Sequence, residues 1–420
     1  MNGNKKKSLM PRLRFPEFQV EGGWRTDFGN MIFDQISNKD HNSDLPVLAI
    51  TQEYGAIPRD MIDYHVSVTD KSLESYKVVD VGDFIISLRS FQGGIEFSRY
   101  RGICSPAYVI LRLRDDHSED FFRYYLKTER FIAQMTKNLE GLRDGKMISY
   151  KQFSKLELPV PSLEEQEKIA DCLSSLDGLL TAEIQKLNAI KAHKKGLMQQ
   201  LFPRDGEGVP RLRFPEFQNG CKWDTKPFEK LVVNSFYGTS HSTSDNGKYP
   251  VLRMGNMLDG KLKFSNLAYI DLDANTFSKI RLSRGDILLN RTNSLDLVGK
   301  ISIFDQDIDC ITASYIVTYR LDQSQIIPDF CNLVLNTPQY QRKIKALARP
   351  SISQANINPT TFKKELVVVL PCLDEQRRIV SCFSHVDEQL AAQIQKIELL
   401  KAYKTGLMQQ LFPELNEVRT

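Results

Sequence analysis

Apolar residues return every three or four positions through one long stretch of this chain: Leu173, Leu176, Leu180, Ile184, Leu187, Ile190, Leu197 and Leu201, with Lys194 at the one step left polar. The mean step is about 3.5 residues, the period of a helix that lays a single apolar stripe against a partner. Ser162 and Glu165 have capping-box spacing, which would start the helix, and no proline follows until Pro203. At 1.5 Å per residue such a helix runs about 57 Å. The pattern recurs 210 positions later, at Phe383, Val386, Leu390, Ile394, Ile397, Leu400, Leu407 and Leu411, and Lys404 stands where Lys194 stood. Two stripes with matching steps predict two long helices packed on each other, antiparallel, as a rigid spacer. A four-helix bundle, or a coil between two copies of the chain, would satisfy the same stripes.

Ahead of each stripe the pattern shortens. Leu45–Ile50, Phe84–Leu88 and Tyr108–Leu113, then Tyr249–Leu252, Ile287–Leu289 and Tyr315–Leu321, are short apolar and β-branched runs between turn residues, and read as strands. Phe121–Met135 and Phe330–Leu347 have helical periodicity. The expected class is α+β, with a curved and largely antiparallel sheet in each half.

The halves are copies. Residues 11–18 and 210–217 both read PRLRFPEF, and residues 196–203 and 406–413 both read GLMQQLFP. Two identical octets are far beyond chance, and such a duplication decides the architecture before any motif does. Weaker echoes lie between: Trp24 with Trp223, Gly82-Asp83-Phe84-Ile85 with Gly285-Asp286-Ile287-Leu288, and Pro161-x-x-Glu164-Glu165-Gln166 with Pro371-x-x-Asp374-Glu375-Gln376. The flanks agree closely and the interiors loosely. Read serially, the chain is an N-terminal segment (1–20), a globular region (21–160), a helix (161–203), a linker (204–219), a second globular region (220–370), a second helix (371–413) and a tail (414–420).

Composition narrows the chemistry. With 56 basic against 52 acidic residues the net charge is +4, which permits nucleic-acid binding without arguing for it. The seven cysteines have no Cys-x-x-Cys spacing, which suits a reducing, cytoplasmic setting rather than a disulfide framework or a zinc site. No signal peptide or membrane span is read, and no membrane partner is expected. There is no Pro-Pro-aromatic loop of the kind that holds a flipped adenine. Gly141–Met147 falls one residue short of a P-loop and lacks its Ser/Thr. No histidine pair sits at metal-binding helical spacing. The chain is therefore expected to be non-catalytic, with no cofactor or metal of its own.

The doubled order of these elements resembles the specificity subunit of type I restriction-modification enzymes. A Gly-Asp-apolar strand leads into a polar, arginine-containing loop. A strand with a tyrosine follows (Tyr108, Tyr315), and then a Glu-Gln helix start after a proline. Gln354-x-Asn356-Ile357 is also similar to that family, whereas the first copy departs there, reading Asp144-Gly145-Lys146-Met147-Ile148. The resemblance implies two target recognition domains joined by two long antiparallel helices in a pseudo-twofold repeat. It implies double-stranded DNA as ligand. As partners it implies two modification (methyltransferase) subunits, which carry S-adenosylmethionine and methylate adenine N6, and restriction subunits that cut. A coiled-coil scaffold that binds only proteins is the competing reading, and the diverged interiors are what it leaves without purpose.

In that family loops after the sheet strands touch DNA. Here they offer Arg89, Ser90 and Gln92 in the first domain, and Arg291, Thr292 and Asn293 at the matching place in the second. An earlier loop offers Thr51, Gln52 and Tyr54 against Arg253 and Asn256. A later one offers Arg143 and Lys146 against Gln354 and Asn356. Arginine can pair with guanine O6/N7 and Asn or Gln with adenine N6/N7, each through two hydrogen bonds. The two sets differ, so the site should be asymmetric, with half-sites about one helical turn apart and an unread gap between them. Deleting four residues from both long helices together is expected to change the gap and leave both half-sites as they were. Methylation mapping checks this, and changed half-sites with an unchanged gap would refute it.

Overall fold

The two long helices span Leu163–Gln200 and Leu373–Leu411, unbroken over 38 and 39 residues. The computed structural model describes every residue except 1–8, 43, 63–72, 138–147, 221, 351–353 and 414–420. The chain falls into two units, residues 1–184 with 395–420, and residues 185–394. Each unit thus contains one globular region, the beginning of the helix that follows it, and the end of the other helix. The serial segments describe the order along the chain, and packing divides it differently.

In the first unit a four-stranded antiparallel sheet runs in the order Phe33–Ile36, Val109–Leu113, Phe84–Ile86, Glu96–Phe97. In the second the same order recurs as Val232–Tyr237, Ile316–Leu321, Ile287–Asn290, Ile301–Ile303. Each sheet has a small companion pair that closes the domain at the foot of its helix, Arg25–Phe28 on Glu157–Val160 and Asp224–Pro227 on Val367–Leu370. The Gly-Asp echo has a structural cause. Asp83, buried at the start of its strand, accepts from Arg112 Nε and Nη2 at 2.8 and 2.9 Å, and Asp286 accepts from Arg320 at 2.9 and 2.8 Å. Each acid also accepts a backbone N–H from three residues upstream. A buried carboxylate is tolerable only when so paired and hydrogen-bonded.

The identical octets hold each unit shut. Arg14, from the first PRLRFPEF, donates twice to the buried Glu165 carboxylate at 2.8 and 2.7 Å, and Arg213 does the same to Glu375. The backbone N–H of Leu13 donates to the carbonyl of Gln410, and that of Leu212 to Gln200. So the first octet of each copy meets the second octet of the other copy. Rings complete the seal: Phe412 packs on Phe121, which meets Trp24, while Phe202 packs on Phe330 and Trp223. Gln166 and Gln376 join each helix start to its domain. Gln166 accepts from the Ser118 N–H and Gln376 from the Ile327 N–H, and each donates to the carbonyl of the proline five residues before it.

Within the first unit the helices run antiparallel, since Asp177 meets Lys404 and Glu183 meets Lys396. In the second, Lys194 reaches Asp387 at 2.6 Å, and Lys261 joins it at 3.1 Å. The lysines at the two polar steps therefore sit in the seam because each has an aspartate opposite. Burial works to raise the Asp387 carboxyl, but its hydrogen bonds and charge contact with Lys194 and Lys261 outweigh this and hold it below the usual aspartate range. Such pairs fix register more than they add stability.

Most of the expected stripe packs inward. Leu173, Phe383, Val386 and Ile397 are buried, and Leu176, Leu180, Leu187 and Leu390 are half-buried. Ile184 and Ile394 do not belong to it. They are 41% and 47% exposed, while Glu183 and Gln393, one position earlier, are 8% and 5% exposed. A 3.5-residue mean is met equally by steps of four then three or three then four. The apolar count favours the first order, and the packed helices take the second.

Candidate nucleic-acid interface

The clasped strands Phe84–Ile86 and Ile287–Asn290 deliver the loops expected to read bases. Their register corrects one expectation. Asp83 matches Asp286, so Leu88 falls at the position of Arg291, and Arg89 at that of Thr292. The two arginines are not equivalents. Beyond the strand the copies also differ in build. The first forms a helical turn, Ser90–Gly93, with Arg89 as its N-cap. The second continues as a short strand, Thr292–Asn293, inside a three-stranded sheet with Ala355–Ile357 and Ala348–Pro350.

In the first unit the early loop folds against this turn. Gln52 Nε2 donates to the Arg89 carbonyl at 3.2 Å, and a Cβ at Gly93 would lie 2.6 Å from the Gln52 side chain. Gly94 has φ +82°, and any side chain there would strike the Leu126 carbonyl. Below the turn, Lys127 donates to the Gly93 carbonyl at 3.0 Å and pairs with buried Glu96. Burial raises the Glu96 carboxyl above its usual range, and Lys127 only partly offsets it. Exposed around the turn are Arg89, Gln92 and Tyr54, together with Leu88 and Gln52, the last tied to the Arg89 carbonyl. Ser90 is not among them: it is buried, and its Oγ accepts the Ser87 N–H at 2.8 Å. Arg143 and Lys146 lie outside the described residues.

In the second unit all three candidate segments meet. Asn293 Nδ2 contacts Met254 Sδ at 3.2 Å, Thr292 pairs with Asn356 and Asn293 with Ala355 across the sheet, and Thr292 Oγ1 donates to Asn356 Oδ1 at 2.6 Å. Asn256 is a correction. It is buried, its Oδ1 accepts the Arg253 N–H, and its Nδ2 donates to the carbonyls of Lys263 and Ser265. Its amide is spent on its own loop. Arg253 and Gln354 are exposed, and one Arg253 Nη donates to the Asn266 carbonyl. Two residues here escaped sequence reading. Arg349 is exposed and pairs with Asn356 in the sheet. The Tyr237 ring lies under the Arg291 guanidinium. Arg349 could have been suspected from its place just before the Gln354–Ile357 stretch. Tyr237 carried no signal, since it lies 54 residues from its arginine.

These surfaces present hydrogen-bonding heads on turns, loops and a short strand that follow the sheet strands, groups of the kind that can pair with base edges. Among the described residues no group of three His, Cys, Asp or Glu could hold a metal. Among them, too, no helix is long and apolar enough to cross a membrane.

Comparison with known proteins agrees. The model of the type I restriction modification DNA specificity domain matches twice, at residues 28–192 and 234–402. A Methanocaldococcus jannaschii protein assigned as the MjaX specificity subunit of a type I restriction enzyme is 28% identical over 193 residues, 45% of each chain. The StySPI specificity subunit of Salmonella potsdam is 25% identical over 64% of this chain and 59% of its own. The chain thus spans about half the length of these first two relatives. The MjaVIII specificity subunit of M. jannaschii is 22% identical over 82% of this chain and 80% of its own. In fold, the chain is similar to a solved chain from work on complex assembly and conformational transition of the type I R-M system. The TM-score is 0.59 at 15% identity, covering 94% of this chain and 98% of that one. A type I restriction-modification S subunit from M. genitalium gives a TM-score of 0.51 at 14% identity, over 97% and 100%.

Proposed function

The chain belongs to the type I restriction modification DNA specificity family, and from that membership we propose that its two globular regions each read one half of an asymmetric, split DNA site. Its part in the complex is specificity, as in the relatives named specificity subunits. Methyl transfer to adenine N6 is assigned to two modification subunits carrying S-adenosylmethionine, and cutting to restriction subunits.

One observation carries the asymmetry. The two sheets match in strand order and in their Asp–Arg clasps, yet one ends in a helical turn and the other in a strand. A frame kept twice with two different readers suits two different half-sites. Arg89 and Gln92 are the proposed readers in the first domain, and Arg291, Thr292, Asn293, Gln354 and Asn356, flanked by Arg253 and Arg349, in the second. The test is to express the chain with its modification subunit in a host free of N6-methyladenine and map methylation across the genome. A single split, asymmetric motif is expected, and Arg89→Ala should relax only one half of it. The absence of any split methylated motif would refute the reading and favour a protein-binding scaffold.

A further inference from the structure

Arg291 is built unlike any other arginine near the candidate surface. Its backbone is fixed on both sides: its N–H donates to the Tyr315 carbonyl at 3.0 Å, and its carbonyl accepts the Ile357 N–H at 2.8 Å. Its guanidinium carbon lies 5.4 Å from the centre of the Tyr237 ring. Tyr237 ends the strand Val232–Tyr237, sits opposite Val317 in the central strand, and is 49% exposed. Among the described residues nothing accepts a hydrogen bond from the Arg291 guanidinium, and its buried Nε has no partner. Most neighbouring arginines are committed, and Arg349, which is not, is exposed, with no ring under it among the described residues. Arg320 is clasped by Asp286, Arg281 by Asp309, Arg284 by Asp307, and Arg253 donates to a carbonyl.

A second unpaired group lies beside it. The Tyr319 hydroxyl is buried without a partner. Burial raises its pKa, Tyr237 raises it further, and the Arg291 charge draws it back, so the three groups share one neighbourhood. A donor left unpaired in a buried site destabilises the fold, because its lost hydration is not replaced. An arginine held over a ring, with its buried Nε unpaired and no acid to neutralise it among the described residues, is prepared for an acceptor from outside the chain.

We propose that Tyr237 is a positioning residue that presents the Arg291 guanidinium, as a pre-oriented two-pronged donor, to the O6/N7 edge of a guanine in the second half-site. The inference rests on the DNA-reading function proposed above and names one base contact within it. A phosphate needs only a positive charge in reach, which a mobile side chain supplies. A base edge needs a donor plane held at a set angle, and the ring face sets it. The device belongs to one domain. By sheet register the first unit has Ser37 at the place of Tyr237 and Leu88 at the place of Arg291. Its effect should therefore be confined to one half-site.

The test compares Arg291→Ala, Arg291→Lys, Tyr237→Ala and Tyr237→Phe in the full chain, each co-expressed with the modification subunit and read by genome-wide N6-methyladenine mapping. Both Arg291 variants are expected to lose discrimination at one G·C pair of one half-site, by about 10- to 100-fold, with the other half-site unchanged. Tyr237→Ala should relax the same pair by about 3- to 10-fold, whereas Tyr237→Phe, which keeps the ring, should read as the parent chain does. A merely structural role for Tyr237 would lower methylation at every site without touching one position. Methylation that falls uniformly in the Arg291 variants, with the motif intact, makes Arg291 a phosphate contact and overturns the proposal. So does relaxation at an A·T pair, or a Tyr237→Ala variant that keeps full discrimination where Arg291→Ala loses it. If the parent chain yields no split motif, the functional reading itself fails, which is a separate result from any of these.

Discussion

Replacing Phe412 by alanine is expected to loosen the N-terminal globular region, although residue 412 lies close to the opposite end of the sequence. Phe412 is fully buried, as is Leu411 beside it, and both belong to the core that contains Trp24, Phe33, Phe84 and Phe121. Its ring meets Phe121 at 5.4 Å and Tyr125 at 5.7 Å, and its carbonyl accepts from Arg130. Truncating a buried phenylalanine removes its transfer energy and leaves a cavity, for a loss of about 3–5 kcal/mol. Hydrogen exchange read by peptide should show faster exchange around Trp24 and Phe121–Tyr125, with Trp223 and Phe330 unaffected. Phe202→Ala, in the matching octet, should do the reverse, because Phe202 packs in the other unit. Faster exchange limited to the helix end, or spread equally over both units, would contradict the exchanged packing of the octets.

Removing Glu165 should be nearly as damaging. Its side chain is 1% exposed and that of its partner Arg14 is 6% exposed. The pair is joined at 2.8 and 2.7 Å, and Arg14 also donates to the carbonyls of Glu21 and Gly22. Glu165→Ala leaves a buried guanidinium with only the longer, solvent-exposed contact to Glu21 at 3.7 Å as counter-charge, at a cost of about 3–5 kcal/mol. Exchanging both partners for apolar residues of similar volume should cost much less, because no charge is then stranded. Denaturant midpoints of the two variants separate these outcomes, and an equal loss in both would mean that shape, not charge, holds the junction. The same comparison at Arg213 and Glu375 is expected to give the same ranking in the second unit.

Much of this molecule was legible in its residues. The helices were expected at 161–203 and 371–413 and occur at Leu163–Gln200 and Leu373–Leu411. The α+β class followed from short apolar runs, and the duplication from two identical octets. These are signals carried by neighbours in sequence, and helical period, capping and repetition act over a few residues at a time. Lys194 and Lys404 were visible as interruptions of a stripe. Their reason, Asp387 and Asp177, needed the partner helix.

The readers were less legible. Ser90 and Asn256 have side chains that can bind bases, but both spend them on the Ser87 and Arg253 backbones and on loop carbonyls. Residue type states what a side chain can bond to, and only the fold decides whether that capacity is already used.

By itself, then, the sequence determined that one unit was written twice, that each copy ends in a long helix, and that the copies keep their flanks and change their interiors. Tertiary structure alone decided which octet closes which unit, since Arg14 and Glu165 find each other across 151 residues. It decided the phase of the helical stripe, turning Glu183 and Gln393 inward in place of Ile184 and Ile394. It also decided that Arg89 and Arg291 stand one position apart on otherwise matching strands, and that Tyr237 lies beneath only one of them. The reason is common to all three. Register and burial are set by contacts between residues distant along the chain, and a shift of one residue in a strand turns a side chain to the opposite face while leaving the composition of the segment unchanged.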